Sequence, residues 1–285
     1  MLSVGSLTIA PAQSIGCVRV HSTPAVTRIA IFVATRWEFR ALHSALSLDE
    51  TTILGNIRCG IAERNGRLYC VVQTGVGPGR ASKVARSVLS EGAWTLALST
   101  GFACALTTAG IGDLIIGTEV VSVFHDGQRI RREGLTPCSQ DQCLRFLSVG
   151  REARIPVKSG RIVSTPRIIW QADEKRAIRE LTDAVGLDME SAALAAVANE
   201  RGIPVAVVRT VSDLLDEDLP LDFNLLLRPT GWLNGLWALI GHPSSFAGLN
   251  RLRRQSRVAA DRLTGLFKEY AAAPNDVQSE AGEFQ

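Results

Sequence analysis

The residues Ile29-Ala-Ile-Phe-Val-Ala34 form an unbroken apolar run of strand length, rich in branched side chains. Phe39, Leu42, Ala45 and Leu46 follow at the three-and-four spacing of a helix. The same alternation returns: a strand over Leu68–Gln73, a glycine-containing turn over Thr74–Gly79, then a helix carrying Ala81, Val84, Ala85, Val88 and Leu89. A third strand is predicted over Thr95–Thr100. Strands apolar on both faces and separated by helices imply a mostly parallel sheet covered on both sides. Asp113–Phe124 predicts a strand long enough to bend across two parts of the sheet. Residues 126–154 are polar, basic and weakly patterned, and read as a loop with a short helix. Beyond them the pattern predicts a strand at Arg161–Ser164, a helix over 172–184, a helix from Glu190 to Arg201 ended by Gly202-Ile-Pro204, and a buried strand at Val205–Thr210.

After Leu219-Pro220 the texture becomes rich in Leu and Trp. A final helix of about residues 246–270 places Leu249, Leu252, Ala259, Leu263, Leu266 and Phe267 on one stripe, with Arg251, Arg253, Arg254, Arg257 and Arg262 mostly elsewhere. The reading is of one α/β domain over 28–270, preceded by an extension over 1–27 and followed by a flexible tail over 271–285.

Composition narrows the function. With 46% hydrophobic and 21% charged residues in a chain of 285, a packed core is expected. A net charge of +3 is too small to mark a nucleic-acid binder. The six cysteines (Cys17, Cys59, Cys70, Cys104, Cys138 and Cys143) form no C-x-x-C pair, so neither a zinc site nor a disulfide framework is expected, and a reducing cytoplasm fits. No charged segment precedes the apolar stretch within residues 1–27, and Trp232–Ile240 is far short of the ~20 residues a membrane span needs.

Three carboxylates stand out. Asp213 follows a buried strand, at the strand end where open sheets place ligands, although an aspartate there also suits a helix cap. Glu190 opens a helix, where an acid also complements the helix dipole. Glu38 lies between Trp37 and Phe39, apolar company that suits acid–base work as well as a helix start. All three fall on the same predicted edge of the sheet, and that convergence is harder to explain by capping alone. Amides of Gly75-Val-Gly-Pro-Gly79 are placed to hold an anion or a sugar hydroxyl, and the turn leaves open a nicotinamide-dependent oxidoreductase, although it is not G-x-G-x-x-G. The histidines show no metal-ligand spacing, and no cofactor is expected.

In order along the chain, Ile29–Leu42, Gln73-Thr-Gly-Val-Gly77, Ser99-Thr-Gly-Phe-Ala103 with Gly112-Asp113, Gly186-Leu-Asp-Met-Glu-Ser191 and Val208-Arg-Thr-Val-Ser-Asp213 resemble the nucleoside phosphorylase and nucleosidase family, including the methylthioadenosine/S-adenosylhomocysteine nucleosidases. The likeness covers about residues 28–215. It implies a central mixed β-sheet flanked by helices, a small-molecule nucleoside substrate and a homo-oligomer. Asp213, held by Ser212, would protonate the purine N7, which requires it to hold or share a proton near neutral pH. Glu190 would bond the ribose hydroxyls with Met189 beneath the sugar, and Glu38 would activate water. Gly75, Thr100, Gly101 and Phe102 would line the substrate, and Ile168 and Ile169 stand where the nucleosidases stack a Phe on the base. Ser99 and Phe102 occupy the places where related phosphorylases carry a phosphate-gripping Arg and Ser, favouring hydrolysis, while Arg36 and Arg40 offer an alternative phosphate site.

The C-terminal third, from Leu219-Pro220 through Trp232-Leu-Asn-Gly-Leu-Trp237 to Val258, resembles the hopanoid-associated phosphorylases. This implies adenosylhopane as substrate, with Leu225, Leu226, Leu227, Trp232, Leu236 and Trp237 lining an apolar channel and residues 225–270 touching the inner face of a membrane. The same residues would equally serve to pack the last helix onto the sheet. A non-catalytic membrane-surface binding protein is the remaining alternative.

Overall fold

A computed structural model describes residues 27–54, 57–126, 129–220 and 243–274. At its centre is β1 (Thr27–Val33), whose alternate side chains enter two different cores. Ile29, Ile31 and Val33 pack under α1 (Arg36–Leu46), α3 (Gln140–Glu152) and α6 (Pro243–Ala272). Ala30 and Phe32 pack under α2 (Pro78–Ser90) and α5 (Ser191–Asn199). A strand that is apolar from Ile29 to Val33 thus belongs to the middle layer of three, as its sequence requires.

The remaining strands are β2 (Glu50–Leu54), β3 (Ile57–Arg64), β4 (Arg67–Gln73), β5 (Leu96–Ala105), β6 (Leu114–Asp126), β7 (Arg129–Pro137), β8 (Val157–Ser164), β9 (Gly186–Asp188) and β10 (Val205–Asp213), with α4 (Ala172–Thr182) between β8 and β9. The path β10-β6-β8-β9-β5-β1-β4-β3-β2 doubles back, because β10 also pairs with β5. Strands β5, β10, β6, β8 and β9 therefore close into a ring, and β1, β4, β3 and β2 extend from it as an open sheet.

The sheet is mixed, not mostly parallel. Strand β1 pairs in parallel with β4 and β5, whereas β2–β3, β3–β4, β5–β9, β6–β7 and β6–β10 are antiparallel. Strands β3 and β4 are joined by Asn65-Gly66, both at positive φ (49° and 70°), the two-residue turn whose twist suits a tight hairpin. Of the loop with a short helix expected over 126–154, the loop part is instead strand β7, and the helix is the thirteen-residue α3. No residue of β7 from Ile130 to Pro137 is buried, so it has no apolar alternation to betray it. Helix α3 buries Cys143, Phe146 and Val149, three residues apart, after Ser139 accepts the Gln142 N–H as its cap.

Strand β5 runs on to Ala105, beyond the expected end at Thr100, and β10 continues through Asp213. Helix α6 continues to Ala272, two residues past its expected end at 270. The buried guanidinium of Arg67 donates to Tyr270 O at 2.9 Å, to Ala273 O at 3.0 Å and to Pro274 O, closing the carbonyl end of the helix. Tyr270 also stacks on Phe146 with ring centroids 4.4 Å apart, fastening α6 to α3. Residues 1–26 and 275–285, and with them most of the expected extension and tail, lie outside the described residues, as do Leu225, Leu226, Leu227, Trp232, Leu236 and Trp237.

Candidate active site

Glu38 is the third residue of α1, and its carboxylate is bound on both sides. Oε2 accepts from Thr35 N at 2.6 Å and Thr35 Oγ1 at 2.9 Å, while the Thr35 hydroxyl accepts the Glu38 N–H at 3.3 Å, a complete capping box. Oε1 accepts the Phe102 N–H across the sheet at 2.8 Å. The helix-start role and the placement beside the cavity therefore coexist in one side chain. The approach requires Gly101: a Cβ there would lie 2.2 Å from Glu38 Oε1, and the backbone sits at φ +136°.

Glu190 follows β9 and immediately precedes α5, where its Oε1 accepts the Gly77 N–H at 2.7 Å. The glycine turn thus spends an amide on a protein carboxylate. Burial pushes the Glu190 carboxyl up to about 7, with Asp188 and Glu38 adding to the rise and Arg209 and the Gly77 amide opposing it.

Asp213 ends β10 beside an irregularity in register: Val211 pairs with Ala103, then Asp213 with Cys104, leaving Ser212 as the extra residue. Such a bulge re-aims side chains, and here both Ser212 and Asp213 line the cavity, which strict alternation would forbid. The Ser212 hydroxyl lies 3.0 Å from Asp213 Oδ1. Oδ2 of the same carboxylate receives the Lys175 ammonium at 2.9 Å.

Glu38, Glu190 and Asp213 converge on a cavity of ≈ 310 Å³, together with Ser212, Met189, Ile168, Ile169 and Phe102. The rest of its wall is mostly apolar, including Val76, Leu187, Leu219 and Leu252, with Thr35 and Asp188 as the polar exceptions. A second hollow of ≈ 330 Å³ between α1 and α6 shares Thr35, Phe102 and Leu252 with it and adds Trp37, Leu249 and Arg253.

Other expected residues stand back from the cavity. Thr100 is fully buried, its hydroxyl donating to Val208 O at 2.8 Å, and Gly101 acts by making room for Glu38. Gly75 is a turn residue at φ +81°, and Val76 reaches the cavity in its stead. Arg36 and Arg40 are exposed on α1 and neither lines the cavity.

Residues that sequence reasoning passed over form the floor. Buried Arg209 pairs with Asp188 Oδ2 at 2.6 Å and donates to Thr100 O at 2.9 Å, Ser99 Oγ at 2.8 Å and Ser191 Oγ at 2.9 Å. Ser164 and Ser191 both donate to Asp188. This network joins β5, β8, β9, α5 and β10 directly beneath Glu190 and Glu38. The available signal was a charged pair, Asp188 and Arg209, inside otherwise apolar segments, since a buried charge demands a partner.

The three-layer α/β fold is shared with proteins of known structure. Over residues 28–226 the chain matches the Phosphorylase superfamily, and it is an enzyme that belongs to that superfamily. It is 28% identical over 212 residues to the 5′-methylthioadenosine/S-adenosylhomocysteine nucleosidase of Haemophilus ducreyi, covering 70% of this chain and 90% of that protein. The Neisseria meningitidis 5′-methylthioadenosine/S-adenosylhomocysteine nucleosidase in complex with methylthio-immucillin-A superposes with a TM-score of 0.65 at 20% identity, covering 85% of this chain and 99% of that one. Futalosine hydrolase of Helicobacter pylori gives 0.64 at 20%, covering 85% and 97%. The nicotinamide alternative falls with this membership, and the Gly77 amide it needed is engaged by Glu190.

Proposed function

We propose that the chain releases adenine from a 5′-substituted adenosine by breaking the C1′–N9 bond, with water as acceptor and an apolar group at the 5′ position. The observation that carries this reading is the meeting of Glu38, Glu190 and Asp213 in one apolar-walled cavity. As the bond breaks, its electron pair moves onto the base and positive charge grows on the sugar. Asp213 delivers a proton to N7 so that adenine leaves neutral, and Ser212 keeps the carboxyl oriented. Glu190, anchored by Gly77, accepts hydrogen bonds from the ribose hydroxyls, and its negative charge counts for more as the sugar becomes cationic. Glu38 takes the proton of the attacking water. Met189 packs against the sugar, and Ile168 and Ile169 hold the base by apolar contact.

Water is favoured over phosphate by charge: Arg36 and Arg40 point away from the cavity, and Ser99 is committed to Arg209. The hollow between α1 and α6, contiguous through Thr35, Phe102 and Leu252, gives the 5′ group a path lined by Trp37 and Leu249. It supports a long substituent, with adenosylhopane as the substrate proposed and methylthioadenosine as the short member of the same class. Exposed Arg251, Arg253, Arg254 and Arg257 lie along the same helix and support contact with an anionic membrane from which such a substrate is drawn.

The test is adenine release from methylthioadenosine, 5′-alkyl adenosines and adenosylhopane, with and without phosphate. Release independent of phosphate, favouring the longer apolar substituent and lost in Asp213→Asn, is the expected result. A requirement for phosphate overturns the choice of acceptor, a preference for methylthioadenosine overturns the long substituent, and no release from any probe overturns the reading as a whole.

A further inference from the structure

Lys175 belongs to α4, thirty-eight residues before Asp213, yet its side chain is fully buried and its ammonium reaches the far oxygen of the Asp213 carboxylate. All three N–H bonds are used: Asp213 Oδ2 at 2.9 Å, Leu214 O at 3.0 Å and Glu217 O at 3.0 Å. A buried ammonium costs several kcal/mol unless its partners are this complete. On the reading above, however, Asp213 must give N7 a proton, and a carboxylate paired with an ammonium has none of its own.

We propose that Lys175 is the proton reservoir of the site, acting through Asp213. A proton moves from Nζ to the Asp213 carboxylate, the carboxyl turns on its Cβ–Cγ bond, and N7 receives the proton as the C1′–N9 electron pair passes to the base. Lys175 is left as the neutral amine and Asp213 again as carboxylate. The water oxygen bonds C1′, its proton goes to Glu38 and then to solvent, and Lys175 regains a proton from solvent. The balance is one water consumed and neutral adenine released. Charge favours this route: once N7 holds the proton the dyad faces the cationic sugar as amine and carboxylate, with a net negative charge, whereas a donor that began as a neutral carboxyl beside a retained ammonium would end as a neutral ion pair.

The groups facing the ammonium are few. From β10 comes Asp213, and from β5 the Cys104 thiol, which burial and Asp213 keep protonated by pushing its pKa well up. The Glu217 carboxylate turns to Gln255, Asp218 caps α4 at Ala172, and on α4 Glu174 pairs with Arg167 while Arg176 pairs with Asp173 and Asp216. Burial is the largest single influence on the Lys175 pKa and lowers it, but the raising effects of Asp213 and Cys104 taken together exceed it, and the net shift is upward.

The inference rests on the nucleosidase reading, so it is tested by two measurements. The first is the pH dependence of kcat for adenine release in wild type, Lys175→Met and Lys175→Arg. A donor fed by lysine keeps its proton to high pH, whereas a lone aspartic acid ordinarily ionises near about 4, so the alkaline limb of the Met variant should move down by at least ~2 pH units. Arginine restores the positive charge but does not surrender its proton, so Lys175→Arg should lose roughly 100-fold in kcat with KM changed less than about threefold. Restoration of kcat by arginine, or a Met profile superimposable on wild type, overturns the proposal.

The second measurement needs no turnover. The Lys175 side-chain carbon resonance, assigned by its loss in Lys175→Arg, should titrate at lower pH in Asp213→Asn than in wild type, and an unchanged titration also overturns the proposal. If no probe releases adenine, the nucleosidase reading fails while this titration still reports on the dyad, and a Met variant that does not fold leaves the Arg variant and the titration to decide.

Discussion

Replacing Gly101 with alanine sets one methyl group against the carboxylate most central to the site. An ideal Cβ at this position lies 2.2 Å from Glu38 Oε1, 2.6 Å from its Cδ and 2.9 Å from an Arg209 Nη1, all within van der Waals exclusion. The backbone adds to the conflict, because φ +136° is strained for any side chain, at a cost of about 1–3 kcal/mol. To clear the methyl, Glu38 must abandon the Phe102 N–H, and a hydrogen bond to a charged acceptor is worth about 1.5–3 kcal/mol. The expected loss is about 3–5 kcal/mol of stability, a large share of the ~5–15 kcal/mol a domain commands. Gly77→Ala is the control: its φ is +103° but a Cβ there meets nothing within 4 Å, so it carries the backbone strain without the clash. Urea unfolding of both variants gives the stability difference, and adenine release gives the catalytic one. Gly101→Ala should fall at least ~1.5 kcal/mol below Gly77→Ala and, if Glu38 is the general base proposed above, lose roughly 100-fold in kcat. Equal midpoints for the two alanines, or full activity in Gly101→Ala, would refute the claim that this glycine exists to admit Glu38.

Glu190 offers a pH test of the buried charge. Because its folded carboxyl is raised from 4.5 to about 7, the stability it contributes is complete below 4.5 and is lost as pH rises through 7, an effect on the order of 3 kcal/mol. Glu190→Gln should therefore unfold at progressively higher urea than wild type between pH 5 and pH 8, and a pH-independent difference contradicts the assignment. On the role proposed for Glu190, adenine release by the wild type should rise with pH through about 7, as its carboxylate forms. Arg67→Met removes the donors at the carbonyl end of α6 and should cost about 2–3 kcal/mol in thermal or urea unfolding, with kcat nearly unchanged. A catalytic collapse without a stability loss would argue that the end of α6 is coupled to the cavity.

The parts of the fold that sequence made visible are those where one physical demand dominates. β1, β4 and β10 are apolar almost throughout because they lie between two helical layers, and α1, α2 and α6 show their stripes because each has one wet side. The hidden elements have weaker demands: β7 is unburied throughout its described side chains, and β9 is three residues long, below any periodicity. Strand β3 was more legible than it was made, since Asn65-Gly66 is a strong hairpin signal. The three carboxylates were recognisable from their places at strand and helix ends together with the family likeness. Lys175 and Arg209 were not, because a lysine on an otherwise polar helix gives no sign of pointing inward, and only the tertiary fold brings α4 under the end of β10.

The ring of β5, β10, β6, β8 and β9 also divides labour within the molecule. The cavity carboxylates Glu190 and Asp213 hang from strands of that hoop or directly after them, and the Glu38 carboxylate is pinned to one of them, so each inherits the rigidity of a structure without loose ends. The walls of the neighbouring hollow come mostly from α1 and α6, outside the hoop, with Phe102 of β5 as the one contribution from it. Trp37 and Leu249 line the hollow without lining the carboxylate cavity, so exchanging them reshapes the hollow while the carboxylates keep their places.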